Sequence, residues 1–97
     1  MLTQDDIMKA AQEIAPKYEI DEVYLFGSYA RGDATEESDC DIRIVGGDIR
    51  SLFQLSGLYI DFEEALGKSV DVVMTKNMSK SFYKLIKDEE LLIYAKV

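Results

Sequence analysis

The 97-residue sequence has no histidine, no tryptophan, one cysteine and one proline. Cys40 has no partner for an internal disulfide, and nothing in the cysteine usage points to secretion. One cysteine without histidine also argues against a structural zinc site. The missing histidine removes the commonest general base. No run of eighteen apolar residues occurs, so no membrane span is expected. The start of the chain, Met1-Leu2-Thr3-Gln4-Asp5-Asp6, is acidic and lacks a signal-peptide pattern. The expected location is the cytoplasm. Positive charge is scarce too: 11 Lys and Arg stand against 19 Asp and Glu, a net charge of −8. Such a surface repels phosphate backbones and argues against direct nucleic-acid binding. It suits divalent cations and a basic protein partner. The plainer reading of the acidity is solubility, since 31% charged residues is only modestly above the usual roughly 25%.

What is present fits one domain over residues 1–97, with a hydrophobic fraction of 47% that allows one compact core. Thr3 is a candidate N-cap, with Asp5 and Asp6 placed to complement the helix dipole. Ile7, Ala10, Ala11, Ile14 and Tyr18 then recur at helical spacing, and Pro16 ends or kinks that helix. Val23 to Phe26 read as a buried strand. Gly27 to Gly32 form a turn with room for one helical turn, and Asp33 to Ser38 form a loop. Asp39 to Val45 read as a second strand, ended by Gly46-Gly47. Asp48 is a candidate cap for a long helix whose apolar stripe runs from Leu52 to Leu66, with Gly67 at its C′ position. Glu63 and Glu64 read as its solvated face. Val70 to Met74 form a third strand. Ser79 caps a last helix, and Leu91 to Ala95 form a short strand expected at a sheet edge. This order predicts a small α/β (α+β) domain, a mixed sheet with helices packed on it.

Three features carry chemistry. Gly27-Ser28 ends an apolar strand, where glycine allows a phosphate to approach the backbone and serine adds a hydroxyl. Alone it would be an ordinary turn. Asp39 and Asp41 stand at i and i+2 on a strand, sharing one face with Cα atoms roughly 6.5–7 Å apart. Two carboxylates on one face raise each other's pKa unless a cation intervenes; the alternative is a water-facing strand end. Asp71 interrupts an apolar run, where an ionised carboxylate calls for a metal, a basic partner or exposure. Together, Gly-Ser, ten residues and Asp-x-Asp form a pattern that average composition would produce by chance in roughly one chain of this length in a thousand.

Other residues stay open at this stage. Arg31 could reach phosphate oxygens or pair with Asp33, Glu36 or Glu37. Arg43 shares the face of Asp39 and Asp41, where it could pair with one of them or touch substrate. Lys76 reads as a solvated loop residue. Cys40, alternating with the aspartates, points into the core as a small apolar filler.

On the segments G-S-Y-A-R-G-D (Gly27–Asp33), S-D-C-D-I (Ser38–Ile42) and V-D-V-V (Val70–Val73), the sequence resembles the nucleotidyltransferase superfamily of the DNA polymerase beta type. It looks most like the minimal nucleotidyltransferases of HEPN/MNT toxin–antitoxin pairs. The resemblance covers nearly the whole chain. It implies that Gly27, Ser28 and Arg31 bind a nucleoside triphosphate and that Asp39, Asp41 and Asp71 bind two Mg²⁺ ions. It further implies transfer of AMP from ATP to a hydroxyl, a tyrosine of a partner HEPN toxin, with this chain as antitoxin in a hetero-oligomer. Two alternatives stand beside it: an antitoxin that silences its toxin by binding alone, and a nucleotidyltransferase for a small molecule or nucleic acid held by another subunit. Arg43 departs from the pattern, since many relatives carry an aliphatic residue there.

Overall fold

The structure is a computed structural model and describes residues 1–97. Helix α1 spans Gln4–Ile14. Its start is the expected one: the Thr3 side chain accepts from the Asp6 N–H, and the Asp6 carboxylate accepts from the Thr3 N–H at 2.9 Å. The reciprocal pair satisfies two donors that a bare helix end would leave unmet. Pro16 enters a 3-10 turn, Ala15–Tyr18, rather than more α-helix, because its ring cannot follow an α-helical residue four back.

Strand β1 is Ile20–Phe26, three residues longer at its start than expected. Asp21 and Glu22 are polar, but the chain there already pairs with the end of β2. The short helix α2, Ser28–Arg31, follows at once. Strand β2 is Cys40–Gly46, helix α3 Leu52–Leu66, strand β3 Val70–Met74, helix α4 Lys80–Ile86 and strand β4 Leu91–Ala95. The cap of α3 is Ser51, whose hydroxyl accepts from the Gln54 N–H, and not Asp48. The stripe proposed for α3 is only partly core: Leu58 and Phe62 are buried, while Leu52 is exposed.

The four strands form one sheet in the order β3-β2-β1-β4. β1 runs antiparallel to both neighbours, and β2 and β3 are parallel. The sheet is therefore mixed, with β4 on an edge. One face carries the core. Ile7, Ala11 and Ile14 of α1 and Leu58 and Phe62 of α3 pack there on Val23, Leu25, Cys40, Ile42 and Ile44. Strand alternation sends the intervening residues to the other face: Glu22, Tyr24 and Phe26 from β1, Asp41, Arg43 and Val45 from β2, Asp71 and Val73 from β3. Helix α4 covers part of this second face, where Phe82 packs edge-on against Phe26 with ring centroids 5.9 Å apart.

The outer edge of β3 is closed by α3. The Tyr59 hydroxyl accepts from the Val72 N–H and donates to the Val72 carbonyl, both at 3.2 Å, and Glu63 accepts from the Val70 N–H at 3.3 Å. Glu63 is thus an edge cap, while Glu64 is exposed as expected. No helix is long and apolar enough to cross a membrane.

Candidate active site

The second sheet face brings together residues far apart in sequence. Phe26 lies opposite Asp41 across β1 and β2, and Asp41 lies opposite Asp71 across β2 and β3. Neighbouring strands are separated by about 4.8 Å, so both carboxylates start from adjacent points on one surface. Asp39 precedes β2 by one residue, at the same end. Asp71 and Asp39 are exposed and Asp41 is half-buried.

Directly after Phe26 the chain turns at Gly27 with φ 74° and ψ −154°, a backbone region open almost solely to glycine. A Cβ here would also overlap the Asp41 carboxylate. Glycine is therefore required twice, by conformation and by the approach of the turn to the acid. Ser28 then opens α2, and Arg31 closes it.

The electrostatics of the cluster are strained. Burial pushes the Asp41 carboxyl above its ordinary value; the Asp71 and Asp39 charges push it the same way, against Arg31. Arg31 donates from Nε to Asp33 at 3.2 Å and from Nη1 to Glu89 at 3.0 Å. Of the three carboxylates considered for it, Asp33 is the one it meets. The Asp33–Ser38 loop is pinned by Lys68, whose ammonium donates to the carbonyls of Glu36 and Ser38 at 2.7 and 2.6 Å.

The chemistry of the acids suits a hard divalent cation: they are oxygen donors, and a shared cation would lower the cost of holding their like charges together. No three acidic side chains close into a ready-made cage. Cys40 is no competing ligand or nucleophile. It is fully buried, and burial pushes its thiol up to about 12.

Arg43 resolves in a direction the sequence did not indicate. It pairs with neither aspartate. Its Nε and Nη2 donate to the two oxygens of Glu90 at 2.6 and 2.8 Å, and Nη1 donates to the Thr75 hydroxyl at 2.8 Å. Its guanidinium lies 4.3 Å from the Tyr24 ring centroid and 5.2 Å from that of Tyr83. Around it opens a cavity of about 670 Å³ lined by Tyr24, Arg43, Thr75, Tyr83 and the α4 lysines Lys80 and Lys84. The cavity begins one same-face position along β2 from Asp41. Glu89 and Glu90 escaped notice in the sequence, where a Glu-Glu pair after a helix looks solvated. Lys76 is exposed, as read.

A glycine turn against Asp41, with Asp71 beside it on the open face of a small mixed sheet, fits a nucleotidyltransferase-type domain. Residues 9–96 match the family model described as Polymerase beta, Nucleotidyltransferase. The chain belongs to that family, and it is a nucleotidyltransferase of the minimal kind. It is similar to protein adenylyltransferase MntA of Thermococcus cleftensis, with 32% identity over 97 residues, 96% of this chain and 98% of that one. Among solved structures it is similar to a chain of a toxin–antitoxin crystal structure with AMP-PNP, with TM-score 0.75 and 25% identity over 98% of this chain and 75% of that one. A chain in the structure of a tri-AMPylated Shewanella oneidensis HEPN toxin in complex with MNT antitoxin shares the fold alone, at TM-score 0.65 and 23% identity over 95% of this chain and 69% of that one.

Proposed function

We propose that the chain transfers AMP from ATP to a hydroxyl, a tyrosine of a HEPN-type toxin, and thereby acts as its antitoxin. The observation that carries this reading is the convergence of Gly27, Asp41 and Asp71 on one open sheet face, in a chain whose full-length relative is named a protein adenylyltransferase. The complexes in which similar chains are seen supply the class of partner.

In this reading Gly27 and Ser28 orient the β- and γ-phosphates, with Arg31 as a cationic hand on them. Asp39, Asp41 and Asp71 would hold two Mg²⁺ ions. These ions, when bound, neutralise the triphosphate and make the acceptor hydroxyl more acidic. The hydroxyl oxygen attacks the α-phosphorus, the bond to the β-phosphate bridging oxygen breaks, and pyrophosphate leaves. Asp71 is exposed and takes the acceptor's proton, the part an absent histidine cannot play.

The test is to mix the chain with ATP, Mg²⁺ and a HEPN-type partner and to weigh the partner by intact-mass spectrometry. AMP-sized increments are expected, and Asp39→Ala should abolish them. A partner of unchanged mass, or increments that survive Asp39→Ala, would refute the reading. An Asp41→Ala chain that still neutralises the toxin would point to inhibition by binding alone.

A further inference from the structure

One carboxylate stands where the nucleotide reading has no place for it. Glu89, in the turn between α4 and β4, stands beside the Gly27 turn, because Leu91 at the start of β4 pairs with Leu25 near the end of β1. A single oxygen, Oε2, accepts from the Gly27 N–H at 2.6 Å and from Arg31 Nη1 at 3.0 Å. Those are the turn and the arginine assigned to the triphosphate. In a chain of net charge −8, this places a further anion near Asp41, where the Glu89 charge adds to the upward push on that carboxyl. Such a placement needs a compensating use.

Glu89 is not a loose surface acid that drifted into contact. Its N–H and that of Glu90 both donate to the Ile86 carbonyl, at 3.0 and 3.2 Å. Glu90 then forks onto buried Arg43. The turn is thereby fixed to the sheet on one side of Glu89, and its side chain, 23% exposed, is fixed on the other. Arg31 is held between two carboxylates, Asp33 on Nε and Glu89 on Nη1. Nη2 has no partner within the chain. A guanidinium gripped at two corners presents its remaining donors in one direction, since its fork is planar and rigid.

Resting on the nucleotidyltransferase reading above, we propose that Glu89 is a positioning residue for nucleotide binding. It ties the Gly27–Ser28 turn to the C-terminal strand and aims Arg31 at the phosphates. The rival geometry-based reading is a plug, in which the carboxylate occupies the phosphate position and must leave before nucleotide enters. The two predict opposite signs. A brace, once removed, weakens nucleotide binding. A plug, once removed, strengthens it.

The experiment measures binding of a non-hydrolysable ATP analogue with Mg²⁺ by calorimetry, which needs no acceptor, and then kcat and KM for ATP in the transfer assay. Variants are Glu89→Ala, Glu89→Gln and, as a control in the same turn, Glu90→Gln, each held below its melting temperature. Losing a charge-assisted contact to Arg31 and the Gly27 bond should weaken analogue binding by about tenfold or more in Glu89→Ala. KM for ATP should rise by a similar factor, with a smaller change in kcat. Glu89→Gln keeps an acceptor for the Gly27 N–H and should recover most of the loss. Glu90→Gln, which loosens only the Arg43 anchor of the turn, should melt earlier and lose clearly less analogue binding than Glu89→Ala. Tighter binding by Glu89→Ala overturns the proposal in favour of a plug. Unchanged binding by Glu89→Ala, or an equal loss in Glu90→Gln, overturns it in favour of a purely structural turn. A wild-type chain that binds no analogue would sink the nucleotide reading itself, and the proposal with it.

Discussion

The pair Arg43–Glu90 gives the sharpest stability prediction. Their side chains are 6% and 5% exposed, and two hydrogen bonds join them. Changing Glu90 to Leu leaves a guanidinium buried without its counter-charge. Breaking one side of such a pair typically removes about 3–5 kcal/mol. Tyr24, Tyr83 and Thr75 still touch the guanidinium, so the lower end, about 3 kcal/mol, is the expected loss. For a domain of this size each kcal/mol moves the melting temperature by about 4–8 °C, which gives a fall of about 12–24 °C. The double variant Arg43→Leu/Glu90→Leu removes both charges and restores an aliphatic residue on the strand. Replacing a whole buried pair by apolar side chains is often neutral or better, so it should melt close to wild type. Thermal and urea melts followed by circular dichroism measure both variants. A Glu90→Leu chain that melts within about 4 °C of wild type, or a double variant no more stable than the single one, would contradict a mutually dependent buried pair.

Two further outcomes follow from the acids and the turn. The Asp41 carboxyl is raised in the folded chain, first by burial and then by Asp71 and Asp39. Its contribution is therefore greatest below the ordinary carboxylate range and is lost as pH rises through the raised value. In EDTA, Asp41→Asn should melt higher than wild type at neutral pH, and the difference should shrink in acid; equal melts at both pH values would contradict the strain described. Gly27→Ala combines a glycine-only backbone with a Cβ overlapping Asp41. It should destabilise the fold by roughly 1–3 kcal/mol and abolish binding of the Mg²⁺–ATP analogue, whereas a stable variant that still binds would show that the turn can move aside.

Much of the fold was legible because its signals are local. Thr3, Ser79 and Gly67 announced helix ends through side-chain and backbone chemistry within a few residues. The strands showed as short apolar runs, and their pleat alternation explains why Cys40 faces the core while Asp41 faces out. The errors also have local causes. Asp48 and Ser51 are both capping residues, and composition alone does not say which one is followed by helical backbone. Leu52 fits the apolar stripe of α3 but lies at an end of the helix beyond the reach of the sheet.

The sequence by itself determined the candidate site's vocabulary: a glycine-serine turn after a strand, two acids at i and i+2, and a third acid in another strand. Spacing along a strand decides which face a side chain takes, so that much is readable without coordinates. Only the tertiary structure decided which residues meet. Parallel pairing of β2 with β3 set Asp71 beside Asp41. The return of the chain through α4 sent Arg43 to Glu90 and brought Glu89 to Gly27 and Arg31. Pairings separated by dozens of residues depend on the packing of the whole sheet and its helices. Nothing in the local pattern of a Glu-Glu pair distinguishes a carboxylate bound for solvent from one that holds a turn 62 residues away in the sequence.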